Sequence, residues 1–268
     1  MPGHLAHYRV LEQAPDLGRG PLADEPLLSM AARGPIACLW QAPRGLVVPR
    51  TYAARPGFTQ AQARFEHEGW PIHVRQSGGG VVPQGPGILN LSLAQCFQGR
   101  PLDHADALYR HLCEILRTAL QDFGIPTQAQ AVEGSFCDGR YNLAVPAPVR
   151  KVVGTAQVWR RAPGHAPDTQ VGLVHALILA QCDPLALTER ANRLESTLGS
   201  DRRYRPEKVA SLDQWRPTDR RAHFTDELEQ RLRVLIGTWP ALAQTGSPSR
   251  PDASGSALAP LAQSRDAS

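Results

Sequence analysis

Apolar positions along the chain switch between a helical and an alternating period, and the switches mark off short elements. Over 24–32 they recur at helical spacing behind Asp24, which predicts a helix capped by that acid. The runs 36–40 and 46–49, split by Pro43-Arg44-Gly45, predict the strands of a hairpin. Helical spacing returns over 59–67 and stops at Gly69. A strand is expected over 72–75, running into a glycine cluster, and another over 88–93. The longest helix is expected over 103–123, where Leu108, Leu112, Ile115, Leu116 and Leu120 form one stripe and Gly124 with Pro126 ends it. Strands follow over 141–145, 151–158 and 171–179, the last two joined by a polar loop over 159–168. Helices over 185–198 and 224–236 close the pattern, the second burying Leu228, Leu232, Leu235 and Ile236. Strands and helices mix without strict βαβ alternation, so the fold class is α+β, a mixed central β-sheet flanked by helices.

No internal linker interrupts these elements, and one domain is expected over 1–243. Beyond it large apolar side chains almost vanish among Ser, Pro and Gly, so 244–268 is expected to be a disordered tail. A hydrophobic content of 42% excludes disorder of the whole chain. Lys and Arg number 29 against 25 Asp and Glu, a net +4. That surplus suits an acidic protein partner and is too small to argue for nucleic acid. Five cysteines, at 38, 96, 113, 137 and 182, include no C-x-x-C pair and read as free thiols of a reducing compartment, with no metal site. The N-terminus lacks a secretory pattern, and no apolar run approaches the roughly 18–20 residues of a membrane span. A cytoplasmic monomer without membrane contact is the expectation.

Four segments could carry chemistry. In Arg75-Gln76-Ser77-Gly78-Gly79-Gly80 three glycines let the backbone approach a ligand and point N–H groups at it. No Gly-Lys-Ser/Thr follows, so this is not a phosphate P-loop; a flexible turn is the plain alternative. In Gly87-Ile88-Leu89-Asn90-Leu91-Ser92 a strand carries one Asn among apolar residues, and a buried Asn90 must be hydrogen-bonded, as structural anchor or ligand contact. Between Gly134 and Leu143, Cys137 sits in a polar turn, whereas the other cysteines lie in apolar or helical segments; a loop thiol is the better candidate for reactivity. In Lys151-Val152-Val153-Gly154-Thr155-Ala156-Gln157 a lysine opens an apolar strand, and small residues on one face leave space for a linear chain. Its ammonium could favour a thiolate or bind a substrate carbonyl, or it could simply be a solvated strand end. His73, His111 and His175 read as structural, His165 as exposed, and no general base is identified. A Gly-x-Ser-x-Gly nucleophile is absent.

Taken in order, these four segments resemble the lipoate–protein ligase A and octanoyltransferase family, over about residues 24–238. The resemblance implies the biotin/lipoate-ligase catalytic fold, which is class II synthetase-like. It is nearest the branch that moves octanoyl from the glycine cleavage H protein to other proteins, whose Gly-Ser-aromatic-Cys turn Phe136-Cys137 matches. It implies Cys137 as nucleophile and Lys151 at the acyl carbonyl. Arg75, Ser77, Gly78, Gly79, Gly80, Asn90, Gly154, Thr155 and Ala156 would line the substrate site. The implied partners are lipoyl-domain proteins, the E2 subunits of 2-oxoacid dehydrogenases and the glycine cleavage H protein, with no cofactor. ATP and Mg would be needed only by the alternative, a lipoate–protein ligase working through an acyl-adenylate. Two departures weigh against that alternative: the His-Asp pair usual in such ligases is replaced by Gln84 and Gly85, and no accessory domain is expected after 243; Gly139-Arg140 followed by Asn142, where the family usually has Asp, echoes a ligase segment and weighs for it. A protein that binds acyl groups or carriers without chemistry is a further alternative.

Overall fold

The computed structural model describes residues 6–76, 78–162 and 164–243, without the side chains of 17–19. The expected tail over 244–268 and Ser77 lie outside the described residues. In chain order the elements are β1 (Arg9–Leu11), α1 (Leu27–Met30), β2 (Ile36–Gln41), β3 (Gly45–Pro49), α2 (Arg50–Ala53), α3 (Phe58–His67), β4 (Ile72–Arg75), β5 (Val82–Gln84), β6 (Ile88–Gln98), α4 (Pro101–Asp122), β7 (Gln128–Ala129), β8 (Leu143–Pro146), β9 (Val149–Arg161), β10 (Thr169–Leu179), α5 (Pro184–Thr197) and α6 (Phe224–Thr238).

One sheet has the order β1-β2-β6-β10-β9-β8-β7, and a second has the order β4-β3-β5. The large sheet is mixed: β1 runs parallel to β2, and the other neighbours pair antiparallel. Alternate residues of β10 divide the molecule into layers. Val174, Ala176 and Ile178 face the core shared with the α4 stripe and with Leu228, Leu232 and Ile236 of α6. Each fully buried side chain of this kind stabilises the fold by roughly 1.5–3 kcal/mol. Leu173, His175 and Leu177 face the other way, toward the space between the two sheets. The small sheet packs with α3 and α5 through Val48, Phe65, Leu187 and Leu194.

Two expectations are corrected. β2 and β3 do not form a hairpin: β2 pairs with β6 and β3 with β4 and β5, so the Pro43-Arg44-Gly45 turn carries the chain from one sheet to the other. Asp24 does not cap a helix over 24–32. The helix is shorter, starts after Pro26 with no side-chain cap, and the Asp24 carboxylate instead takes hydrogen bonds from distant strands. The sheets are joined by paired amides. Gln84 Nε2 donates to Asn90 Oδ1 at 2.8 Å and Asn90 Nδ2 to Gln84 Oε1 at 3.2 Å, both side chains being buried.

Candidate active site

The loop 134–142 between β7 and β8 places Cys137 at φ 52°, the only positive φ at a non-glycine among the described residues. That conformation costs about 1–3 kcal/mol and persists only where the surroundings enforce it. Here the enforcement is visible. Lys151 Nζ donates to Phe136 O at 2.5 Å and to Cys137 O at 2.9 Å. Asn142 Nδ2 donates to Cys137 O at 2.7 Å, while Asn142 Oδ1 accepts from Thr155 N at 3.0 Å. Lys151 and Asn142 are both buried, and together they rivet the cysteine loop to β9.

The glycine segment meets the same thiol. A methyl group on Gly79 would stand 2.9 Å from Cys137 Sγ, and Gly79 has φ 112°, so only glycine suits the position. Arg75 holds the segment in place: its NH2 donates to Gly78 O at 2.8 Å and Gly80 O at 3.0 Å, and its NH1 to Val47 O at 3.2 Å. Arg75 Nε is buried without a hydrogen-bond partner among the described residues, and the guanidinium interacts with Cys137. Burial lowers the Arg75 pKa, with Cys137 opposing; a guanidinium stays protonated regardless.

Burial also pulls the Lys151 pKa down from 10.5 to about 8; Cys137 and Asp138 oppose that shift and Arg75 adds to it. A neutral lysine has two N–H donors, which match the carbonyls of Phe136 and Cys137 and leave a lone pair. The protonated form adds one more donor. The same scaffold therefore serves both protonation states of Lys151.

Two cavities meet at Cys137. One is a trough between the sheets, walled by Val47, Val82, Leu173 and Leu177, with Arg75, Lys151 and Cys137 at one end. Its floor follows β9 and β10, where Gly154 lies opposite Leu177, Ala156 opposite His175 and Val158 opposite Leu173. A methyl on Gly154 would stand 3.1 Å from Lys151 Nζ, so glycine there keeps the trough open beside the amine. The other cavity is a wider cleft bordered by the backbone of Gly78, Gly79 and Gly80 and by Arg202, Arg203 and Tyr204. Ser135 lines it with a buried hydroxyl that has no partner among the described residues. Cys137, Thr155, Ala156 and Gln157 border both cavities.

Residues 23–232 match the lipoyl protein ligase A/B catalytic domain. The chain belongs to that family. It is 47% identical over 236 residues to an uncharacterized protein of Cupriavidus necator, covering 83% of this chain and 93% of the relative. It is 36% identical over 138 residues to an octanoyl-[GcvH]:protein N-octanoyltransferase of Kyrpidia tusciae, and 30% identical over 161 residues to one of Bacillus velezensis. Those two matches cover 50% and 58% of this chain and 46% and 53% of the relatives, so this chain spans about half the length of each. Among solved structures, lipoate-protein ligase A bound with ATP superposes with TM-score 0.58 at 17% identity, covering 87% of this chain and 95% of that one. A bi-partite lipoate protein ligase of Thermoplasma acidophilum superposes with TM-score 0.55 at 18% identity, covering 88% and 93%. These likenesses establish the fold: a large mixed sheet flanked by helices, as in lipoate–protein ligases.

Within this family fold, Cys137, Lys151, Arg75, Gly79, Gly154, Thr155 and Ala156 gather around one point, with Gly78 and Gly80 on the cleft side. Asn90 stays apart, its amide committed to Gln84. Asn142, which the sequence offered only as an echo of a ligase segment, is a buried scaffold residue. His175 also differs from its expected structural role, because it lines the trough, and Asp24 lines it with it. His111 does fit a packing role, burial pulling its pKa down to about 4. Among the described residues no helix is long and apolar enough to cross a membrane.

Proposed function

We propose that this chain transfers an octanoyl or lipoyl group to a specific lysine of lipoyl-domain proteins, in protein lipoylation, through a thioester on Cys137. The observation that carries this reading is the placement of one partly exposed thiol, beside a buried lysine of pKa about 8, where an apolar trough opens into a cleft. The trough suits a medium-length acyl chain, and the cleft suits the protein that delivers or receives it. The matched octanoyltransferases support the same chemistry.

In the first half-reaction the Cys137 sulfur attacks the acyl carbonyl carbon, a C–S bond forms, and the thiol proton passes to neutral Lys151. The Arg75 Nε–H, which has no acceptor among the described residues, and the glycine N–H groups would stabilise the charge that develops on the carbonyl oxygen. If the donor is an acylated carrier lysine, its C–N bond breaks and Lys151 returns the proton to the leaving amine. In the second half-reaction a neutral lysine amine of the acceptor attacks the thioester, the C–N bond forms, and the Cys137 sulfur leaves. Its surplus proton goes to Lys151 or to the thiolate.

The reading places the catalytic unit within 1–243, in the cytoplasm, with no nucleotide or metal taking part. Its partners are lipoyl-domain proteins, namely the E2 subunits of 2-oxoacid dehydrogenases and the glycine cleavage H protein. The test is intact-mass spectrometry of the protein with an octanoylated carrier and an apo lipoyl domain, without ATP. Octanoyl on the acceptor and an acyl adduct on Cys137 are expected. Product that forms only after ATP and free lipoate are added, with release of pyrophosphate, would replace this reading with adenylating ligation.

A further inference from the structure

Among the polar residues that line the trough, which include Glu25, Gln84, Gln157 and Arg160, Asp24 and His175 form a cluster that the transfer chemistry does not use. His175 Nδ1 lies 3.2 Å from Asp24 Oδ2 and 3.0 Å from Ser92 Oγ, and the Ser92 hydroxyl donates to Asp24 Oδ2 at 2.7 Å. Asp24 and His175 both line the trough, whereas Ser92 is fully buried behind them. The single hydroxyl proton of Ser92 is spent on Asp24, so the Nδ1 contacts require a proton on Nδ1. With Nδ1 so engaged, Nε2 is the remaining polar ring nitrogen, and it has no hydrogen-bond partner among the described residues. The Trp40 ring lies beside the imidazole, 6.0 Å between centroids and tilted by 48°. Burial alone would push the Asp24 carboxyl up; His175, Ser92 and a backbone N–H together hold it below the usual range.

The position along the strands gives this cluster its meaning. Leu177 stands opposite Gly154, beside the Lys151 amine, and His175 is two residues further along β10, opposite Ala156. Two residues of strand advance about 7 Å. An extended acyl chain whose carbonyl sits at Lys151 and Cys137 therefore passes the imidazole several carbons from the carbonyl. A saturated chain gains nothing from a polar ring nitrogen there and strips water from it, which is unfavourable. A chain bearing a thiol at that depth, which can donate through S–H or accept through sulfur, satisfies it. Octanoyl and dihydrolipoyl share one eight-carbon skeleton and differ by two thiols on its distal part.

We infer that the Asp24–His175 pair is a specificity element that reads a thiol on the distal part of the acyl chain, so that the trough takes dihydrolipoyl in preference to octanoyl. The inference rests on the acyltransferase reading for the identity of the trough and not for its test. The test is calorimetric titration of the full-length protein with octanoate and with dihydrolipoate. Dihydrolipoate should bind about fivefold more tightly, the worth of one net hydrogen bond. In His175→Leu the ratio should fall to about one, and in Asp24→Asn it should narrow. Octanoate binding as tightly as dihydrolipoate, no binding of dihydrolipoate, or a folded His175→Leu that keeps the preference would each overturn the inference. If His175→Leu does not fold, the wild-type ratio decides alone. Transfer to a lipoyl domain is scored separately: discrimination without transfer overturns the acyltransferase reading and leaves this inference standing, and transfer without discrimination does the reverse.

Discussion

On one side of Cys137 lies a trough walled by Val47, Val82, Leu173 and Leu177; on the other lies a cleft of bare glycine backbone edged by Arg202, Arg203 and Tyr204. The first offers apolar surface, which holds a chain in proportion to the area it covers. The second offers charge and backbone, which orient a protein and speed its arrival more than they bind it. The division teaches where each kind of substitution should be felt. A change in the trough should be felt by the acyl group, a change in the cleft by the carrier, and a change at the seam by both.

The largest effect is expected at the seam. Cys137→Ala keeps the Cβ and should abolish both the acyl adduct and transfer, by roughly 10³-fold or more in single-turnover measurements. Lys151→Met should cost about 10²–10⁴-fold, the range for a lost acid–base group. It should also remove the rise of the first half-reaction with pH through about 8 that the lowered Lys151 pKa predicts. The stability effect has a definite sign. Lys151 has a folded pKa of about 8 against 10.5 for the ordinary side chain. Between those values the unfolded chain binds more protons, so this lysine makes wild type gain stability as pH rises through that window. Below it the full penalty of the buried charge remains. Melting curves of wild type and Lys151→Met at pH 7 and pH 10 should show the difference moving in favour of wild type at the higher pH.

Smaller effects should separate the two sides. Leu173→Trp fills the trough away from Lys151 and should lower kcat/KM for octanoyl by about 10–100-fold while sparing an acetyl donor, judged from what a few methylene groups are worth in an apolar pocket. Charge reversal of the exposed Arg202 and Arg203 should raise KM for an acidic carrier several-fold, and the effect should shrink at high salt. A small-molecule thioester should feel that change less than the carrier does. Equal losses for both donors would show that the cleft is not where the carrier docks.

Much of the frame was legible in the chain. The stripe on α4 and the apolar face of α6 appear where their spacing put them, because both are long helices with one buried side. The cysteine loop, Lys151 and the small residues of β9 also converge as expected, since they are close in sequence. The sheet switch between β2 and β3 was not legible, because alternation reveals a strand without naming its neighbour. For the same reason Asp24 looked like a helix cap and His175 like core. Their contact is made by sheet register, through Ser92 opposite His175, across 68 and 83 residues of chain. No local pattern records such a meeting.

Thr155, Ala156 and Gln157 form a wall common to both cavities, and Cys137 borders both as well. A guest held by its tail on one side leaves the other side vacant. On the proposed thioester route, donor and acceptor would use the same berth in turn and never need to be aboard together. A molecule built this way remembers its last visitor: separated from the donor, it should still deliver its cargo to whichever acceptor arrives next.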